Sequence, residues 1–401
     1  MNKVARSPTP LFAAAAGMSV ANVYYAQPLL DAVARDFAIP QAAIGAIVGA
    51  TQLGCGLALL LLVPLGDLLE RWRLMLAQAL LLAAILAAVG IVNSAPLLLA
   101  AMLLTGLFGT AMTQGLIAYA ASSAAEHERG RVVGATQGGV FVGLLLARVV
   151  AGGIGDVAGW RGVYFCSAGA MLLLALLLWR RLPPLARTGT SMSYPALIAS
   201  MAGLLRRHRI LQVRGLLALL MFAAFNVFWS ALVLPLSAPP YSFSHTAIGA
   251  FGLVGAVGAL AAARAGRLAD RGLERQTTLA ALLLLLLAWL PLALMPWSLW
   301  MLVIGIVLLD LGGQAIHVIN QGMIFRTGSE EHSRLVGAYM LFYAVGSGLG
   351  AMASTQVYTY AGWTGVCLLG AGISLAALLF FAVTSLGPPP ARGRRQPSEL
   401  G

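Results

Sequence analysis

Residues 131–143 read RVVGATQGGVFVG, and residues 334–346 read RLVGAYMLFYAVG. The second stretch lies 203 residues after the first, and the same offset carries Asp67 to Asp270 and Gly159 with Trp160 to Gly362 with Trp363. Matching positions at the edges of apolar runs mark two homologous halves that point the same way, an architecture in which a site between the halves is exposed alternately to either side. A spanning helix needs about 20 apolar residues. Such runs fall near 11–30, 43–64, 74–92, 97–120, 132–153 and 162–179, and again near 214–236, 246–264, 277–295, 298–322, 335–356 and 364–384. The expected fold is therefore all-α and membrane-embedded, with twelve spans in two parallel-related six-helix bundles.

Composition agrees. The chain is 60% hydrophobic and 9% charged, with a mean hydropathy of +0.88, which leaves too little polar surface for a soluble domain of this size. Lys and Arg near span ends stay on the cytoplasmic side. With both termini inside, 22 of the 25 basic residues fall in cytoplasmic segments, Arg35 and Arg161 fall outside, and Arg148 falls within a span. The formal charge of +12 then reads as topology and contact with anionic headgroups rather than as a nucleic-acid surface. The basic start, Lys3 and Arg6, precedes a run that continues through Asn22, Tyr24, Tyr25 and Gln27, too polar for a cleaved leader, so a retained first helix is expected. Cys55, Cys166 and Cys367 lie singly within spans, and no disulfide framework, metal site or cofactor is implied. His127, His208, His245 and His332 lie in loops without ligand spacing and read as solvated.

These landmarks divide the chain into a first lobe over 1–180, a cytoplasmic linker over 181–213, a second lobe over 214–385 and a disordered tail over 386–401. In the linker, Leu197, Met201, Leu204 and Leu205 share a helical face ahead of Arg206, Arg207 and Arg209, which suits either an interfacial helix or a basic tether. Glycine concentrates in the second and fifth spans of each half, as Gly45, Gly49, Gly54 and Gly56; Gly134, Gly138, Gly139 and Gly143; Gly249, Gly252, Gly255 and Gly258; and Gly337, Gly346, Gly348 and Gly350. Small residues at this spacing let helices approach closely, as a sliding surface between lobes or as static packing.

The turn Gly266, Arg267, Leu268, Ala269, Asp270, Arg271 resembles the loop signature of the major facilitator superfamily. Its first-half counterpart keeps Asp67 and Arg71 but has Val63 and Glu70 where that signature usually has glycine. With the repeat, the spans and the 126–131 and 330–334 loops, the resemblance covers almost the whole chain. It implies a transporter whose cavity is lined by spans 1, 4, 7 and 10. The 22–30 and 308–321 stretches look more like the permeases related to sugar or arabinose efflux proteins. The signatures of drug-proton antiporters are poorly matched, with Thr105 where an arginine is expected and no proline after Gly143.

Asp310 is the one acid deep within a span, ~18 Å along the tenth. Gln314, His317 and Gln321 follow on the same stripe, with Asn320 to one side. An intramembrane acid is a functional candidate by default. It can exchange a proton as access alternates, with His317 as relay; the other readings are a structural hydrogen-bonded acid or direct binding of a cation. Further cavity candidates are Asn22, Tyr25, Gln27, Thr113, Gln114, Asn226 and Trp229. Asp67, Arg71, Arg131, Asp270, Arg271 and Arg334 form a candidate inner gate, or merely fix topology. Arg148, ~25 Å beyond Arg131, is expected to pair with Asp31 at an outer gate; if it turns inward, it calls for an anionic group on the substrate.

The expectation is a multi-pass secondary transporter of a bacterial inner membrane, acting as a monomer and exporting a small neutral or weakly cationic compound in exchange for protons. An importer or uniporter would use the same parts. A membrane receptor or scaffold is the different-class alternative. An enzyme would need a nucleophile with a base, or clustered His and carboxylates, and an ATP-driven pump would need a phosphate loop; neither pattern is present.

Overall fold

A computed structural model describes the backbone of residues 9–182, 193–325 and 332–385, and their side chains except at 67, 259–263, 325 and 332–333. Among the described residues every regular element is helical. In a chain this apolar, helices satisfy the backbone polar groups internally, which lipid cannot do. The main helices are α1 (Thr9–Tyr24), α2 (Gln41–Leu62), α3 (Arg71–Ile91), α4 (Ala95–Ser123), α5 (Arg129–Arg181), α6 (Tyr194–Arg207), α7 (Arg209–Ser237), α8 (His245–Val254), α9 (Ala256–Asp270), α10 (Glu274–Ala293), α11 (Leu299–Phe325) and α12 (His332–Ser385). Eight of these contain stretches long and apolar enough to cross a membrane: α2, α3, α4, α5, α7, α10, α11 and α12.

The two longest helices, α5 with 53 residues and α12 with 54, are each broken once, at Gly159 (φ 71°) and Gly362 (φ 58°). Both breaks use the left-handed backbone region that glycine enters without a Cβ penalty. They stand 203 residues apart, at the positions the repeat pairs. Packing repeats as well. α1 lies against α5 where Gly139 meets Ala13 and Gly143 meets Gly17, and α7 lies against α12 where Gly346 meets Leu219 and Gly350 meets Ala223.

Phe12 stacks on Tyr119 near the end of α4, Phe381 lies against Arg214 near the start of α7, and Tyr194 of α6 donates to the Leu61 carbonyl at 2.8 Å. Both ends of the described chain and α6 therefore sit at one end of the bundle, called here the termini end. The linker forms a helix, but Leu197, Met201 and Leu204 are buried against the bundle rather than turned to a leaflet. The remainder of the linker, 183–192, and the tail, 386–401, lie outside the described residues.

The glycine-rich helices do two jobs. Gly45, Gly49 and Gly348 bring α2 against α12, and Gly152, Gly249 and Gly252 bring α5 against α8, so these glycines line contacts between the halves. Gly54, Gly139, Gly143, Gly346 and Gly350 instead pack helices of the same half together, on α4, α1 and α7. Gly143→Val is expected to destabilise the protein by about 1–3 kcal/mol through overpacking against Gly17, while Gly134→Val, whose added carbon meets nothing within 4 Å, leaves stability unchanged. Thermal unfolding of the two purified variants in detergent checks this.

Candidate functional site

The halves meet along the seam made by α2 with α12 and α5 with α8, and the polar residues gather there. Arg148 on α5 turns inward and is 3% exposed. Gly252 on α8 leaves room for its stem. Its Nε donates to Gln27 Oε1 at 2.9 Å, and Gln27 Nε2 reaches Asn226 Oδ1 at 3.4 Å. The guanidinium lies 4.0 Å over the Trp229 ring and 5.6 Å from the Tyr24 centroid. Tyr24 hydrogen-bonds Tyr343, a further link between the halves. Arg148 Nη2 has no partner.

Across the seam, Asp310 on α11 is 4% exposed and its Oδ2 has no partner. The carboxyl fits against Gly255, where a Cβ would meet it at 3.0–3.2 Å, and Gly258 lies against the Asp310 Cβ and main-chain oxygen. Arg148 and Asp310 attract each other through space without a salt bridge. Among the described residues, no carboxylate lies within 4.0 Å of Arg148. Ser347 Oγ, on α12 of the same seam, and Trp229 Nε1, on α7, are likewise buried without partners.

Several expected site residues are placed elsewhere. Asn22 is fully buried inside the first half, donating to the Met18 carbonyl and accepting from Ser167 Oγ at 2.5 Å. Thr113 bonds back to Gly109 of its own helix. Asn320 is tied to Arg214 inside the second half. His317 accepts or donates at Tyr339 Oη, 3.0 Å away, and packs edge-on to Phe222, two helical turns from Asp310. Tyr25, Gln314 and Gln321 are half-buried. The expected Arg148–Asp31 pair does not form, because Gln27 and Trp229 draw the guanidinium inward. Asp31 instead binds Arg35 at 2.9 Å and His245 Nε2 at 3.0 Å.

The sequence profile of the Major Facilitator Superfamily matches residues 12–298 and 215–400. The uncharacterized transporter YgaY of Escherichia coli is 42% identical over 92% of this chain and 93% of its own length. The chain belongs to the major facilitator superfamily. A Streptomyces coelicolor protein named as a probable transporter, SCO4007, is 31% identical over 96% of this chain and 87% of its own. Among solved structures, a bacterial homolog of the human lysosomal transporter Spinster, inward-facing and occupied, superposes with a TM-score of 0.79 at 14% identity, covering 96% and 98% of the two chains. The nucleoside transporter NupG gives 0.75 at 13% identity, covering 95% and 100%. These two show the fold. The relatives make this chain a membrane transporter of the major facilitator type.

In this major facilitator protein the seam is shut at the end away from the termini. Asp156 accepts from the backbone N–H of His245 and from Thr246 N and Oγ1 at 3.0, 2.8 and 2.6 Å, capping the positive N-terminus of α8. His245 bridges Asp156 and Asp31, both at 3.0 Å, and Gly45 N donates to Thr355 Oγ1 at 3.0 Å. His245 is thus a bridging residue, not a solvated one. At the termini end a cavity of about 100 Å³ opens, lined by Arg71, Gln78, Gln114, Met201 and Arg334 among others. Arg71 donates to the Gly66 and Ala118 carbonyls and to Ser122. Arg131, Asp270 and Arg271 are exposed there, and the Asp67 side chain lies outside the described residues. Sequence reasoning missed Tyr24, Tyr343, Asp156 and His245 as seam residues; Asp156, a lone acid in the break between apolar runs, was the one visible signal.

Outside the apolar runs, titration follows from these contacts. The hydrogen bond with Asp31 raises His245 above its usual value, outweighing burial, and Asp156 adds to the rise. Burial pushes Asp156 up, but the donors on Thr246 and His245 more than reverse this and hold it down to about 2. Protonated His245 therefore strengthens the lock. That contribution is complete below the ordinary imidazole value of about 6.5 and is lost as pH rises through the raised value. With spin labels at positions 157 and 360 in a background lacking Cys55, Cys166 and Cys367, the distance distribution is expected to shift towards separation above that value, and His245→Gln should abolish the pH dependence.

Proposed function

We propose that this protein is a proton-coupled exporter of a small organic solute, working by alternating access between two six-helix lobes, 1–180 and 214–385, with twelve spans and both termini in the cytoplasm of a bacterial inner membrane. The observation that carries the reading is Asp310. A carboxyl buried without a donor on Oδ2 is stabilised by a proton or a cation, and the seam is where either can arrive. It belongs to the second half, lies against Gly255 of that half and is within electrostatic reach of Arg148 of the first, so rocking the halves changes its surroundings. The His317–Tyr339 pair lies two turns nearer the termini-end cavity and extends the polar route from Asp310 in that direction.

Polar closure at one end and a cavity at the other support a bundle captured in one of two access states. The basic residues, gathered at the termini end, support placing that end in the cytoplasm. Arg71, Arg131, Asp270, Arg271 and Arg334 make up the inner gate at that end. The working unit in this reading is a monomer.

The test is flux in proteoliposomes under an imposed pH gradient, with candidate solutes presented to wild type and Asp310→Asn. Gradient-driven flux is expected in wild type and to fall by about tenfold or more in the variant, while downhill exchange persists. Full gradient-driven flux in Asp310→Asn overturns the proton role.

A further inference from the structure

The transport reading leaves open what occupies the seam. Its polar groups answer in an unusual way. Arg148 and Asp310 are opposite charges, both almost fully buried, on different halves of the protein and without a salt bridge to each other. Each keeps an unused atom, Nη2 on Arg148 and Oδ2 on Asp310.

Their spacing can be read from α8 and its continuation. The Arg148 stem lies against Gly252 and the Asp310 carboxyl against Gly255. These glycines are three residues apart, so the Arg148 stem and the Asp310 carboxyl meet the same surface ~4.5 Å apart along its axis. The guanidinium and the carboxylate form no salt bridge, so each is left for a partner of opposite charge, which a small molecule carrying both charges supplies. A guanidinium fork matches a carboxylate, and a carboxylate matches an ammonium. Trp229, under the guanidinium, fixes the plane in which Arg148 presents its donors.

We propose that this site binds a zwitterionic, amino-acid-like solute, with its carboxylate on Arg148 Nη2 and its ammonium on Asp310 Oδ2. The proposal rests on the transport reading and sharpens it: the ammonium and a proton compete for Asp310, so the site empties of one as it takes up the other. A purely cationic solute leaves the Arg148 charge uncompensated, and a purely anionic one leaves that of Asp310. Either case costs more than filling both.

The experiment measures equilibrium binding to the purified full-length protein without a pH gradient, so it does not depend on proton coupling. The probes are the common zwitterionic amino acids, each with its carboxyl-amidated and N-acetylated analogue, read by thermal shift and calorimetry. At least one zwitterion is expected to bind, and both of its blocked analogues to bind at least about tenfold more weakly. Arg148→Gln and Asp310→Asn should each remove binding, and Arg148→Lys should restore part of it. The analogue comparison uses wild type and stands even where a variant fails to fold.

The proposal is overturned if no zwitterion binds, if an amidated or acetylated analogue binds as well as its parent, or if folded Arg148→Gln binds as wild type does. Preference for the amidated form would overturn it while leaving the proton role of Asp310 intact. Loss of gradient-driven flux alone in Asp310→Asn speaks to that proton role and not to the zwitterion.

Discussion

Two opposite charges have been withdrawn from water in the middle of this bundle and kept apart. A charged side chain at the centre of a spanning helix costs about 2.5–3.5 kcal/mol on insertion scales, and more on an isolated helix. Here that cost is met twice. Arg148 recovers part of it from Gln27 and from the Trp229 face. Asp310 Oδ2 has no such compensation. Stability alone would be served by joining the two or by replacing both with apolar residues. Holding them unpaired beside a shared glycine surface keeps both available to something that enters the seam.

The seam itself is uneven along its length. At the end away from the termini it is fastened by directional contacts: Asp156 on the start of α8, His245 between two carboxylates and Gly45 on Thr355, with Tyr24 on Tyr343 deeper in the bundle. These are hydrogen bonds, which break and reform over small displacements. Deeper apolar interdigitation between the halves would be lost only by separating them. At the termini end a cavity lies between the halves, with α6 along its wall. Movement of one half against the other therefore has a fastened side to open and a cavity on the opposite side to reshape.

The frame was legible in the sequence because it rests on periodicity and duplication. Gly159 and Gly362, matched by offset alone, prove to be the two left-handed breaks that split the longest helices. Asp310 was legible because an acid in an apolar run has no other explanation at that level. Arg148 was located but aimed wrongly. Depth along a helix says nothing about azimuth, and the pull of Gln27 and Trp229 comes from helices distant in sequence. Asn22 and Asn320 looked like cavity residues for the same reason, yet their amides are consumed by Ser167 and Arg214. His245 looked solvated because its two acids, Asp31 and Asp156, lie far away along the chain.

Duplication explains the frame, and departures from duplication explain the site. The seam is built twice: the Arg148 carbonyl meets Gly249 where α5 crosses α8, and the Ala351 carbonyl meets Gly45 where α12 crosses α2. Arg148 and Ala351 are 203 residues apart, so one of two equivalent positions carries a guanidinium and the other a methyl group. Asp310 has Leu107 as its counterpart, and His245 has Ala42. A symmetric pair of halves offers two equivalent surfaces and no reason to bind an asymmetric solute in one orientation. Placing a cation on one side of the pseudo-twofold seam and an anion on the other supplies that direction while the glycines at the crossings, present in both halves, preserve the hinge.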